Sequence, residues 1–111
     1  MSSVGVERIL GMLGLAMRAG KVIIGADMIC RSMAKKTDPM LVLMSSSASE
    51  GTKKKITCKC GFYNVELIEI DVDTERLGHL LGKTYTPAAV AVVERGIAEQ
   101  IKKANDALKK Q

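Results

Sequence analysis

Lys21-Val22-Ile23-Ile24-Gly25-Ala26-Asp27-Met28-Ile29-Cys30-Arg31 changes its periodicity half-way along. Val22 to Ile24 are β-branched and bounded by Gly20 and Gly25, the pattern of a short strand. Met28, Ile29, Cys30 and Met33 then recur at helical spacing, so the switch from strand to helix falls between Gly25 and Asp27. Asp27 serves either as N-cap or in the first turn, where free backbone N–H groups and the helix dipole favour a carboxylate. The same features suit a helix start to phosphate. Two readings stand at this point: an ordinary strand-to-helix turn, or a nucleic-acid contact.

On either side of that turn the chain alternates helices with short apolar runs. Val6, Ile9, Leu10, Leu13 and Met17 fall three and four apart, predicting an amphipathic helix from Val4 to Ala19 that Gly20 closes. The second helix is expected to run to about Lys36, with Arg31, Lys35 and Lys36 on its exposed side, and to stop at Thr37-Asp38-Pro39. Met40 to Met44 is a continuous apolar run, the mark of a strand covered on both faces. Ser45 to Ser49 reads as a loop, and Glu50 to Cys60 as a third helix carrying Lys53, Lys54 and Lys55, closed by Gly61. Asn64 to Ile70 reads as a strand, and Asp73 or Thr74 caps a short helix from Glu75 to Leu81, ended by Gly82. Thr84 to Pro87 is a loop, Ala88 to Val93 a strand of small residues, and Glu94 to Lys110 a last helix. This alternation predicts an α/β protein, a three-layer α/β/α sandwich in one domain over residues 1–111.

Charge and chemistry narrow the function. The 47% hydrophobic content fills one core and excludes a disordered chain, while a formal charge of +5 and a pI near 9.2 point toward polyanions. Three cysteines without a signal peptide fit reduced thiols in the cytoplasm, and the apolar stretch Ile9 to Met17 is too short to span a membrane. Cys58-Lys59-Cys60 lacks the paired Cys-x-x-Cys spacing of a zinc site, and no Gly-rich phosphate loop is present, so neither a metal nor a cofactor is expected. His79 has no evident nucleophile or carboxylate partner and reads as structural, which leaves no enzyme chemistry and no small-molecule substrate.

With mostly parallel strands, the Gly25 turn, the Ser45 to Ser49 loop and the Thr84 to Pro87 loop converge at one sheet end, where ligands of open α/β sheets bind. There the sequence offers Lys21, Arg31, Lys35, Lys53, Lys54 and Lys83, with Ser46, Ser47, Thr84 and Thr86 as uncharged donors. Such groups position a backbone without reading bases. Lys53 to Lys55 equally fit a solvated helix face. Aromatic content of 3% gives no stacking platform for a single strand, which favours folded RNA; Phe62 and Tyr63 are expected in the core.

Arg18-Ala19-Gly20-Lys21-Val22-Ile23-Ile24-Gly25, Leu77-Gly78-His79-Leu80-Leu81-Gly82-Lys83 and Ala88-Ala89-Val90-Ala91-Val92, in this order, resemble the kink-turn RNA-binding ribosomal protein family. This is the L-seven-Ae and L-thirty-e group, and within it the small bacterial YlxQ-like branch. The resemblance covers roughly Val6 to Ile101. It implies a mixed four-stranded sheet between helices, with RNA held by the turn into the second helix and by the loop before the last strand. In that family's turn a glycine and a small residue are followed by asparagine, glutamate, a variable residue, threonine and lysine. Gly25 and Ala26 match the first two and Arg31 the basic residue; Asp27, Met28 and Cys30 depart from the pattern. By the same resemblance Thr86, Pro87, Ala88 and Ala89 form the loop that packs on a flipped-out nucleotide. The expectation is a non-enzymatic, ribosome-associated RNA-binding protein, monomeric and cytoplasmic, with its base-reading motif partly lost. Its site is Lys21, Gly25, Ala26, Asp27, Met28, Arg31, Lys35, Lys54 and Thr86 to Ala89, and its partner a structured RNA, ribosomal or kink-turn-like. The alternative is a protein-interaction module on the same fold, using Met28, Met33 and a Met-rich surface.

Overall fold

Among the described residues, nine elements alternate as the periodicities require: α1 (Ser3–Arg18), β1 (Val22–Ile24), α2 (Ala26–Ala34), β2 (Leu41–Ser45), α3 (Glu50–Tyr63), β3 (Glu66–Ile70), α4 (Thr74–Leu80), β4 (Ala89–Val92) and α5 (Arg95–Lys109). The structure is a computed structural model and describes residues 3–35 and 41–109. The strands form one sheet in the order β1-β4-β2-β3. β2 and β3 are parallel, with Leu43 opposite Ile68, whereas β4 is antiparallel to both of its neighbours, with Val90 opposite Ile24 and Leu43. Three strands therefore run one way and β4 returns between them, the mixed four-stranded sheet that the resemblance implies.

Strand alternation divides the core in two. Leu41, Leu43, Val90 and Val92 face one layer, packed with Ile9 and Leu13 of α1, Leu77 of α4 and Ile101 of α5. Val42, Met44, Ala89 and Ala91 face the other, packed with Ile29 and Met33 of α2 and Ile56 and Cys60 of α3. This is the three-layer α/β/α sandwich. β2 is buried along its whole length, which accounts for its unbroken apolar sequence.

Several boundaries differ from expectation for identifiable reasons. α3 runs through Gly61 to Tyr63, because the residue that turns left-handed is Asn64 (φ 59°, ψ 44°). Val65 N–H then donates to Cys60 O at 2.8 Å, closing the helix in the manner usual for glycine. Phe62 consequently lies on the outer side of the last turn and is 80% exposed, not in the core; Tyr63 is half-buried, and the two rings meet edge to face at 4.8 Å. Ser45 belongs to β2 and is fully buried: its hydroxyl donates to Val72 O (2.5 Å) and accepts from Ser47 N–H (3.0 Å). α4 is capped by Asp73, which accepts from Arg76 N–H at 2.7 Å. Glu94 stands just before α5 and accepts from Ile97 N–H at 2.6 Å. α2 stops at Ala34, with Lys35 as its C-cap. The expected stop at Thr37 to Pro39, together with Lys36, Met40 and Lys110, lies outside the described residues.

Candidate nucleic-acid interface

The end of the sheet toward which β1, β2 and β3 run is joined by backbone hydrogen bonds. Gly25 N–H donates to Ala89 O at 3.0 Å, Ser45 N–H to Ala88 O at 2.8 Å, and Ser46 N–H to Ile70 O at 2.9 Å. The three expected loops do meet there. The loop at 84–88 arrives because β4 is antiparallel and starts at this end; a parallel β4 would have carried it to the other.

Gly25 has φ 97° and ψ 141°, a conformation open to glycine, and so turns the chain from β1 directly into α2. It brings no side chain to cap the helix. The first intrahelical bond is Ile29 N–H to Gly25 O (3.0 Å), which leaves the amides of Ala26, Asp27 and Met28 ahead of the helical ladder. Asp27 sits in the first turn rather than at the cap and reaches sideways to α3, where Lys55 Nζ lies 2.6 Å from its Oδ1. The hydrogen bond from Lys55, and then its charge, hold the Asp27 carboxyl below its ordinary value; the same contact raises the Lys55 ammonium. Asp27, Arg31, Lys55 and Lys59 line a groove of about 470 Å³ between α2 and α3. Met28 is 51% exposed on the first turn, whereas Met33 and Met44 are buried core residues.

Across from this turn, Pro87 and Ala89 are buried, Ala88 is half-buried and Thr86 is exposed. The loop lies hard against α4: a Cβ added to Gly78 would stand 2.5 Å from Tyr85 O and 3.0 Å from Pro87 Cδ. Only glycine allows that approach. Between loop and helix is a groove of about 550 Å³ lined by Asp73, Arg76, His79, Lys83, Tyr85 and Thr86. His79 is exposed on this groove, not enclosed in the core, and Arg76 pairs with Glu7 of α1.

Gly25, Ala26, Asp27, Met28, Thr86, Pro87, Ala88 and Ala89 thus gather at one end, with Arg31 a turn further along α2 and Lys54 exposed on the early turns of α3. Lys53 instead pairs with Glu69 of β3 at 3.3 Å. Two expected residues lie elsewhere. Lys21 precedes β1, and its carbonyl accepts from Val93 N–H beyond the far end of β4 (2.9 Å). Lys35 caps the C-terminus of α2, roughly 15 Å down the helix from Gly25. Lys55 was visible in the sequence only as one of three consecutive lysines; its pairing with Asp27 joins two helices, and no local pattern announces it. Among the described residues no group of His, Cys, Asp or Glu could hold a metal. Cys30 and Cys60 are buried and Cys58 is exposed; burial, and then Cys30, push the Cys60 thiol up to about 11.

Residues 7–102 match the Ribosomal protein L7Ae/L30e/S12e/Gadd45 family. The chain belongs to this family. RNA-binding protein YlxQ of Bacillus subtilis (strain 168) is 36% identical over 90 residues, covering 81% of this chain and 87% of that protein. Large ribosomal subunit protein eL30 of Methanosarcina mazei is 33% identical over 81 residues, covering 73% of this chain and 74% of the relative. A solved structure of a protein of unknown function from Bacillus halodurans C superposes with a TM-score of 0.78 at 28% identity, over 88% of this chain and 96% of that one. The L7Ae/L30e assignment, the mixed sheet and the three layers agree with one another.

Proposed function

We propose that this L7Ae/L30e-family chain is a ribosome-associated RNA-binding protein that grips a structured, kink-turn-like RNA at the end of its sheet. The observation that carries the reading is the bond between Gly25 N–H and Ala89 O. It places the uncapped amides of α2 beside the loop at 84–88, so one RNA segment can meet both. The α2 amides and Arg31 receive backbone phosphate, and Lys54 adds charge at the margin. The loop, held by α4 and by Ser45, offers Thr86 and the half-buried Ala88 to an unstacked nucleotide. Met28 cannot hydrogen-bond a base edge, so base reading is weaker than in a member with asparagine and glutamate at positions 27 and 28; one lost bidentate base contact removes roughly 1–3 kcal/mol of discrimination. The YlxQ and eL30 relatives support RNA as the partner. The reading is of a monomeric, single-domain, cytoplasmic binding protein without catalysis.

The test is a titration with a standard kink-turn RNA and with a plain duplex of equal length, at low and physiological salt, on the wild type and Arg31→Ala. A kink-turn preference that Arg31→Ala removes supports the reading. Equal, weak binding of both RNAs with a steep salt slope refutes kink recognition. No binding of either turns the search toward a protein partner for the exposed Met28 surface.

A further inference from the structure

Asp27 places a carboxylate among the open amides of α2, where it opposes an incoming phosphate. It is not left bare. Lys55 crosses from α3 and sets its Nζ 2.6 Å from the Asp27 oxygen, while Arg31 lies one turn behind on the same groove. Both partners are open to water, the Asp27 side chain 77% and Lys55 47% exposed. Pairs so exposed contribute little to stability, so this contact matters less for holding α2 to α3 than for the charge presented at the turn. Lys55 alters that charge without having to touch RNA itself.

Resting on the RNA reading above, we propose that Lys55 is a positioning residue of the interface. It holds the Asp27 carboxylate as a neutral pair, so that phosphate can approach the α2 amides and Arg31. The pair supplies at this turn, by compensation between two helices, the neutrality that an asparagine would supply alone. The charges of two side chains act additively on a phosphate, so the distinguishing mark is position. Asp27 holds the Lys55 ammonium at the turn, and with asparagine at 27 the lysine is released to solvent and its removal costs little. Removal of a lysine seated on phosphate by itself would cost the same factor in both backgrounds.

The experiment is a double-mutant cycle on the full chain with Lys55→Ala, Asp27→Asn and the double variant, using a kink-turn RNA and, separately, inorganic polyphosphate. Thermal melts first establish that all four proteins are folded. Lys55→Ala should weaken binding of both probes about five- to tenfold, and Asp27→Asn should bind at least as well as wild type. The double variant should return to within about twofold of Asp27→Asn. An equal loss from Lys55→Ala in both backgrounds, or no loss in either, overturns the proposal. Coupling on polyphosphate without any preference for the kink-turn RNA would support the neutral pair and overturn the RNA reading. A kink-turn preference without coupling would do the reverse.

Discussion

Replacing Gly78 with alanine sets two effects against each other, and the structure decides the sign. Gly78 lies inside α4, where alanine ordinarily stabilises a helix by roughly 1 kcal/mol. Here the new methyl would stand 2.5 Å from Tyr85 O, 3.0 Å from Pro87 Cδ and 3.6 Å from Thr86 Cα. The nearest obstacle is backbone, and it cannot swing aside freely. Ala88 and Ala89 are tied to Ser45 and Gly25, and Lys83 N–H is tied to Gly78 O at 2.9 Å. Overpacking of this kind costs roughly 1–3 kcal/mol, so Gly78→Ala should lose up to about 2 kcal/mol after the propensity gain is subtracted. Urea denaturation should show a lower midpoint with an unchanged slope. The paired control is Gly11→Ala in the middle of α1, where nothing lies within 4 Å of the added Cβ; it should gain roughly 0.5–1 kcal/mol. Because relief must come from moving residues 85–87, Gly78→Ala should also weaken RNA binding, whereas Gly11→Ala should not. A Gly78→Ala protein more stable than wild type, as Gly11→Ala should be, would refute the close packing of loop on helix.

Gly25→Ala meets no atom within 4 Å, so its cost is purely one of backbone conformation at φ 97°; thermal melting should show a loss of roughly 1–3 kcal/mol, and an unchanged melt would contradict the glycine-only turn. At neutral pH a thiol reagent should modify Cys58 first and reach Cys60 only on unfolding. Because the folded Cys60 thiol ionises near 11 rather than 9.0, the unfolded chain loses its proton first, and this residue's contribution to stability should fall as pH rises through that interval. Urea midpoints of wild type and Cys60→Ala between those pH values should therefore converge; a constant gap would count against the burial of that thiol. Lys21→Ala should leave RNA affinity within about twofold of wild type, since it lies beyond a Debye length from the Gly25 turn, and a loss matching that of Arg31→Ala would place RNA at the opposite end of the sheet.

How far the sequence discloses this structure depends on whether the deciding interaction is local. β1, Gly25 and α2 are legible because a β-branched run, a glycine and helical spacing all lie within a dozen residues. β2 is legible because burial on both faces leaves an unbroken apolar run. Gly61 misleads: glycine commonly ends a helix, but Asn64, three residues on, accepts the left-handed conformation and the packing of Ile56 and Cys60 carries α3 past Gly61. Phe62 misleads in turn, since an aromatic residue belongs in the core only if its helix turns it that way. The site divides along the same line. The turn and the loop at 84–88 could be named from sequence, but the position of Lys21 depends on strand direction and the Asp27–Lys55 contact on how α2 and α3 pack. Those are properties of the whole sheet and its layers.

β4 has a place in the sheet that bears on when the protein becomes competent. Among the described residues it is the last strand made, yet it lies between β1 and β2 and is the only strand paired with β1. As the chain emerges from the ribosome, the Gly25 turn appears early but has no sheet to dock on. Its future partner, Ala89, is synthesised only after α4. A polypeptide stopped before β4 therefore holds the first half of the proposed RNA interface with nothing to fix it in place. Translation order thus acts as a completeness check: truncated products should be silent toward RNA, unable to compete with finished protein for its target.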